Sequence, residues 1–438
     1  MRSSHVRLAT AIIVATVVAL LAGCASSTTS SPSAISAATA APSVALQATD
    51  SPEPAAVPSP EPTASPDPSP TPLVAIDPSG TGDWRMLPDS PSLGTGIIEE
   101  VVAVRNGFVA LGCTTQGRGI DCADPAVWTS ADAMTWSEPI LLPTSPNETL
   151  GRAEAAAMTP AGLAIGGLVG RGDRVHAALW FSPDGRSFER VAHMRSFANA
   201  TVTAMTSLGD RFVAVGAGAN PTAFFGFRAW SSDDGRTWVD RTSVDLGEAF
   251  PLGLLTIEGG FVAWGPTCIH LCVSETAWWR SRDGLTWSAT GDELAQAGAN
   301  VTTVGTIDGG LVAFGATGDG DELVLPAAWS QATGAHRWKS AQPPHAPAEA
   351  VVADYLRVGH GAALAGHAFV ADEWVSLVWL AGPGEDLWRP PIQIPGSSVI
   401  ALLQDPAQLD RLVVAVASWT ESDRHRVAIW TGMVDWSP

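Results

Sequence analysis

The stretch Ala229-Trp230-Ser-Ser232-Asp-Asp234-Gly235-Arg-Thr-Trp238 decides the reading of this chain, because versions of it return throughout the sequence. Trp128, Trp180, Trp230, Trp279, Trp329, Trp379 and Trp430 stand 49–52 residues apart, each inside a short apolar run. A second aromatic follows each of them: Trp136, Phe188, Trp238, Trp287, Trp338, Trp388 and Trp436. Trp84 fits the phase of this second series and has no first-series partner. A period of this size is the mark of a repeat architecture, in which each unit buries its apolar face only against its neighbours.

Working outward from the Trp pairs, each unit also carries an upstream apolar run, usually closed by Gly. Examples are Gly107-Phe-Val-Ala-Leu-Gly112, Arg211-Phe-Val-Ala-Val-Gly216 and Gly310-Leu-Val-Ala-Phe-Gly315. Another run precedes it, as in Val101-Val-Ala-Val104 and Val301-Thr-Thr-Val304. Short, often β-branched or aromatic runs entering turns read as strands, and no helical period follows residue 76. The sequence therefore predicts an all-β chain: seven units of four strands, closed radially into a seven-bladed β-propeller over 77–438. The unpaired Trp84 predicts that Asp83–Leu87 lies against the last unit near Val427–Trp430 and closes the ring.

The link between the third and fourth strands repeats S-x-D-G-x-[ST]-[WF]. It runs Ser182, Asp184, Gly185, Phe188 in the second unit and Ser232, Asp234, Gly235, Trp238 in the third. The fourth has Ser281, Asp283, Gly284 and Trp287, and the first a degenerate form with Ser130, Asp132 and Trp136. Short Asp and Ser side chains bond backbone N–H groups within a tight turn, and Gly permits positive φ. The motif resembles the Asp-box, or bacterial neuraminidase repeat, of sialidase-like propellers, one residue shorter than the usual spacing. The resemblance spans about residues 80–438 and implies structural turns at the blade periphery, away from any catalytic centre.

The N-terminus reads as an address. Arg2 and Arg7 precede an apolar run from Leu8 to Ala22, and Leu21-Ala22-Gly23-Cys24 resembles a bacterial lipobox. Residues 1–23 are then a lipoprotein signal peptide, and acylated Cys24 would hold the protein at the extracytoplasmic face of the cell membrane. From 24 to 76 the chain is rich in Ser, Thr, Ala and Pro, the composition of a disordered, semi-stiff linker. One Lys (Lys339) beside abundant Ala, Gly and Arg fits a high-GC bacterial genome. A formal net charge of −20 excludes nucleic-acid binding and a polybasic hold on lipid.

The remaining cysteines pair in an exported domain as Cys113–Cys122 and Cys268–Cys272, each following a second strand. A metal held by Cys268, His270 and Cys272 is the alternative, with a spacing poor for tetrahedral zinc. No metal or cofactor is expected, apart from Ca²⁺ as an alternative to a solvated turn at the acidic loop 318–322.

Sialidase chemistry, as the resemblance implies it, needs an arginine triad, a Tyr with a Glu partner and an acid/base Asp. The single Tyr, Tyr355, stands beside Asp354 in the first strand of the sixth unit. No Arg-Ile-Pro motif opens the domain, and the family's usual blade count is six. Neither HExxH nor GxSxG is present. The loops entering each first strand vary while the strands repeat, so Glu100, Arg152, Glu154, Arg195, Asp245, Glu293, Glu349 and Tyr355 are the candidate ring-top binding residues. Trp278 and Trp374 fall outside the register, as extra core residues or as ligand platforms. The expected function is a non-catalytic binding or scaffolding module, a monomer facing an extracytoplasmic protein or glycan. The alternative is a carbohydrate-active enzyme or lectin of the sialidase-like superfamily.

Overall fold

In the computed structural model, residues 74–75 and 84–434 are described, with gaps at 116–121, 268–275, 318–324, 345–349, 383–387 and 420–424 and at shorter stretches elsewhere. The chain is a seven-bladed β-propeller of antiparallel four-stranded sheets. Blade one is Gly96–Val104, Gly107–Thr115, Cys122–Ser130 and Ile140–Leu141. Blade two, Leu150–Arg190, and blade three, Ala200–Asp240, repeat its up-and-down order, as do blade four (Gly253–Thr290), blade five (Ala299–Ala341) and blade six (Ala350–Ile394). First strands of successive blades touch one another around the axis, and the seventh touches the first, so the ring is closed.

Blade seven is assembled from both ends of this folded region. Ser398–Asp405, Gln408–Trp419 and His425–Met433 supply three strands, and Trp84–Met86 supplies the outermost. The register Trp84↔Gly432, Arg85↔Thr431, Met86↔Trp430 matches the closure expected from the unpaired Trp84. Leu87 N–H extends it to the Ile429 carbonyl at 2.8 Å. One pairing was not foreseen. Val74–Ala75, at the end of the stretch read as linker, runs parallel to Ile392–Ile394 as a fifth strand on blade six.

The repeat spacing of Trp has a single structural cause. Each first-series Trp is buried in an apolar cluster that joins its own blade to the one before it. Trp180 lies with Val109 and Leu111 of blade one, and Trp230 with Leu179 and Phe181 of blade two. Trp279, Trp329, Trp379, Trp430 and Trp128 occupy the same place at the other five joints. Among the described residues, indoles donate to the loop that enters their blade: Trp128 to Ser92 O, Trp180 to Pro143 O, Trp230 to Ser196 Oγ and Trp279 to Leu246 O. The second-series rings wedge into the same seams. Trp287 packs on Phe227 of blade three and Phe261 of blade four, and Trp388 on Phe314 of blade five. Trp278, outside the register, is a core residue at 2% exposure, tilted 4.9 Å from Trp338. Trp374 is half-buried, with its ring 5.3 Å from His367 and 5.4 Å from Phe369.

The Ser-x-Asp turns of blades one to four share one hydrogen-bond pattern. Asp234 Oδ1 accepts from Arg236 N (2.8 Å), Thr237 N (2.6 Å) and Ser232 Oγ (3.0 Å). Asp132, Asp184 and Asp283 repeat it on their own turns. Gly185, Gly235 and Gly284 take φ near +71°, and in the degenerate first turn Ala133 takes +63°. Backbone donors hold these carboxyls below the usual range, Asp184 at about 2 through the Ser187 and Arg186 amides. For Asp234, burial pushes up, and the Thr237 and Arg236 amides outweigh it to leave about 2.

Candidate functional site

Strand direction separates two faces. The starts of the first strands and the second-to-third hairpins lie on one, here the entry face; the Ser-x-Asp turns lie on the other. The Cys113–Cys122 disulfide closes blade one's hairpin on the entry face. Cys268 and Cys272 lie outside the described residues, as do Cys24, Asp245, Glu293, Glu349 and the 318–322 loop.

Near the entry end, six first strands carry a β-bulge at one level of the ring. The unpaired residues are Glu99, Glu154, Thr203, Thr302, Ala353 and Ile400. A bulge turns a side chain out of the pleat, and here it turns polar groups toward the neighbouring blade. Arg152, 3% exposed, donates to Glu154 Oε1 at 2.6 Å and reaches Glu99 Oε1 of blade one at 3.3 Å. Thr201 of blade three donates to Glu154 Oε2 at 2.6 Å, and Thr203 to Pro251 O, on the approach to blade four, at 2.6 Å. Thr302 of blade five donates to Val352 O of blade six. Asp354 Oδ2 accepts from Leu402 N of blade seven at 2.9 Å. These bonds form a polar belt that fastens first strand to first strand.

Charge within the belt is uneven. Burial raises the Glu154 carboxyl despite Arg152 and Thr201. Burial raises Asp354 to about 6 against the pull of the Leu402 and Tyr355 amides. Glu100, half-buried on blade one, is pushed up to about 8 by burial, with the Asp354 charge adding to it. Glu100 and Asp354 belong to the two blades that flank blade seven, and the charge of one raises the other. The sequence reading singled out Glu100 and left Asp354 as a neighbour of Tyr355.

Tyr355 faces a different seam. Its hydroxyl donates to Thr306 O of blade five at 3.0 Å, and its ring stacks on Phe314. An added Cβ on Gly305 would stand 1.9 Å from that ring, so Gly305 makes the room. Arg195 is exposed on a short 3-10 turn entering blade three, away from the belt. At the rim of blade two, Glu148 accepts from Arg190 Nη2 (2.9 Å), from Ser145 N (2.7 Å) and from His176 (2.7 Å). Burial works against its charge, and these donors hold its carboxyl below the ordinary range. Among the described residues, no three His, Cys, Asp or Glu side chains converge on a metal-sized point.

No protein-family model matches the chain, and no curated protein matches it in sequence. Solved structures share its fold at low identity. The structure described as YCF48 bound to D1 peptide is 13% identical with a TM-score of 0.54, over 84% of this chain and 99% of that one. A polysaccharide lyase family 25 ulvan lyase bound to an oligosaccharide is 9% identical with a TM-score of 0.50, over 80% and 96%. The Trypanosoma rangeli sialidase in complex with sialic acid is 14% identical with a TM-score of 0.44, over 72% and 60%. At these identities the likeness is one of fold: the chain is similar to propellers of more than one trade.

Proposed function

We propose that this chain is an extracytoplasmic binding propeller, anchored through acylated Cys24 and a Ser/Pro-rich stalk, that presents its entry-face loops to a protein or glycan partner. The four Ser-x-Asp turns are read as Asp-box repeats serving as structural staples. The observation that carries the binding reading is the engagement of charged groups around the axis. Arg152 is held by Glu99 and Glu154, Asp354 by two backbone amides, and the Tyr355 hydroxyl by Thr306 O. Groups committed to neighbouring blades build a rigid scaffold, which leaves recognition to the varied loops above it. The test is in-cell crosslinking of the tagged protein with mass spectrometry. Reproducible capture of one or two envelope proteins, lost on exchanging the loops that carry Arg195 and Glu148, supports the reading. Capture that survives those exchanges overturns it.

A second reading, a carbohydrate-active enzyme, is favoured by Glu100 and Asp354. A carboxyl pushed up to about 8 on blade one and another raised to about 6 on blade six offer the acid-and-base division that glycoside hydrolysis uses. Two of the similar structures, with TM-scores of 0.54 and 0.50, hold a peptide and an oligosaccharide, so this fold accommodates either trade. Turnover of envelope glycans, abolished separately by Glu100→Gln and Asp354→Asn, would establish the enzyme. Absence of turnover across such glycans removes it.

A further inference from the structure

The geometry points to a second binding site on the opposite face, between blades three and four, that takes a neutral saccharide unit. A cavity of about 390 Å³ lies there, lined by Leu208, Asp210, Arg211, Phe261, Arg282 and Asp283, with Asp233 at its edge. That volume falls within the range of small-ligand sites. The joint between blades two and three is built differently: there the Phe181 ring carries the Arg236 guanidinium stacked 4.3 Å over it.

The lining selects the ligand class by charge and geometry. Arg211 is committed: Nε to Asp233 at 2.7 Å and Nη1 to Asp283 O at 2.9 Å. Asp283 accepts from the Leu285 and Thr286 amides. Exposed Asp210 and Arg282 remain, one acceptor and one donor fork, beside the apolar side chain of Leu208, 45% exposed, while Phe261 in the lining is buried. Three carboxylates against two guanidiniums disfavour an anion, and the guanidiniums disfavour a metal cation. A carboxylate next to a guanidinium matches vicinal hydroxyls, which donate to one and accept from the other, while the C–H face of a sugar ring covers Leu208.

This site is on the far face from the loops invoked above and stands or falls independently of them. The test is saturation-transfer NMR on the purified full-length protein with neutral probes: methyl α-mannoside, methyl β-glucoside, maltose, cellobiose and chitobiose. The expected result is saturable binding of at least one probe. Arg282→Ala and Asp210→Ala should each weaken it about tenfold or more, and Arg186→Ala, in the blade-two turn, should leave it unchanged. All three side chains are exposed, so folding is preserved. Binding of none of the probes overturns the proposal, as does binding unaffected by both substitutions. Competition by inorganic phosphate at the same residues, without any sugar binding, overturns the ligand class.

Discussion

Blades one to four and blades five to seven are built on the same inter-blade apolar joints, but only the first four have the Ser-x-Asp turn. In blade five the corresponding positions are Gln331 and exposed Thr333, and among the described residues an Ala335 N to Ala332 O bond at 2.9 Å closes the turn. Trp329 and Trp379 are nevertheless as buried as Trp230, at 3% and 0%. The turn chemistry is therefore a local reinforcement, and the indole at each joint is what the architecture demands. A blade can lose its staple and keep its place in the ring, because burial of a large ring between sheets outweighs a few solvent-side hydrogen bonds.

The largest expected effect checks the shared half of that contrast. Trp230→Ala and Trp379→Ala should each cost about 3–5 kcal/mol in denaturant unfolding, alike in the two groups of blades. A small cost at Trp379 would mean that the later joints do not depend on their indole. Next comes the difference itself. Asp234→Ala removes the acceptor for two amides and two hydroxyls and should cost about 2 kcal/mol, whereas Thr333→Ala should stay within about 0.5 kcal/mol.

The contrast also has a pH signature. Because the folded-state values of Asp184 and Asp234 lie near 2, below the usual 3.8, their contribution is present above about pH 4. It is lost as pH falls toward 2. Hydrogen exchange should show the turns at 182–188 and 232–238 opening in that window before the blade-five turn changes. The opposite sign holds for Glu100. Its raised value means that stability falls as pH climbs from about 4.5 to 8, so Glu100→Gln should raise the melting temperature at pH 8 and not at pH 4. The smallest effect is Ala133→Gly. It relieves a left-handed alanine and gives blade one the residue its three counterparts carry, for a gain of about 0.5–1 kcal/mol.

Blade number, strand order and ring closure were legible because aromatic residues at seams recur at the repeat period and need no long-range information. Cys113 and Cys122 were equally legible from hairpin spacing. The polar belt was not. Glu99 and Glu100 are adjacent in sequence, and which of them faces a neighbouring blade depends on a bulge that shifts register by one residue. The electrostatic coupling of Glu100 to Asp354 depends on ring curvature bringing blades one and six to either side of blade seven. The far-face cavity was hidden for a related reason. Its lining comes from two blades, Leu208 and Asp210 on the third and Arg282 on the fourth, which only the closed ring brings together.

The pairing of Trp84–Met86 with Thr431 and its neighbours has a temporal consequence. Seven sheets of nearly equal make-up do not become a ring in the order in which they are synthesised. The last sheet acquires its outer strand from a segment made before the first sheet existed. That early strand must wait, unpaired, until nearly every other residue of the folded region has emerged. Closure of so large a loop is entropically slow, and the interval before it leaves a sheet edge open to the wrong neighbour. The joint that makes the finished ring durable is for that reason its latest to form.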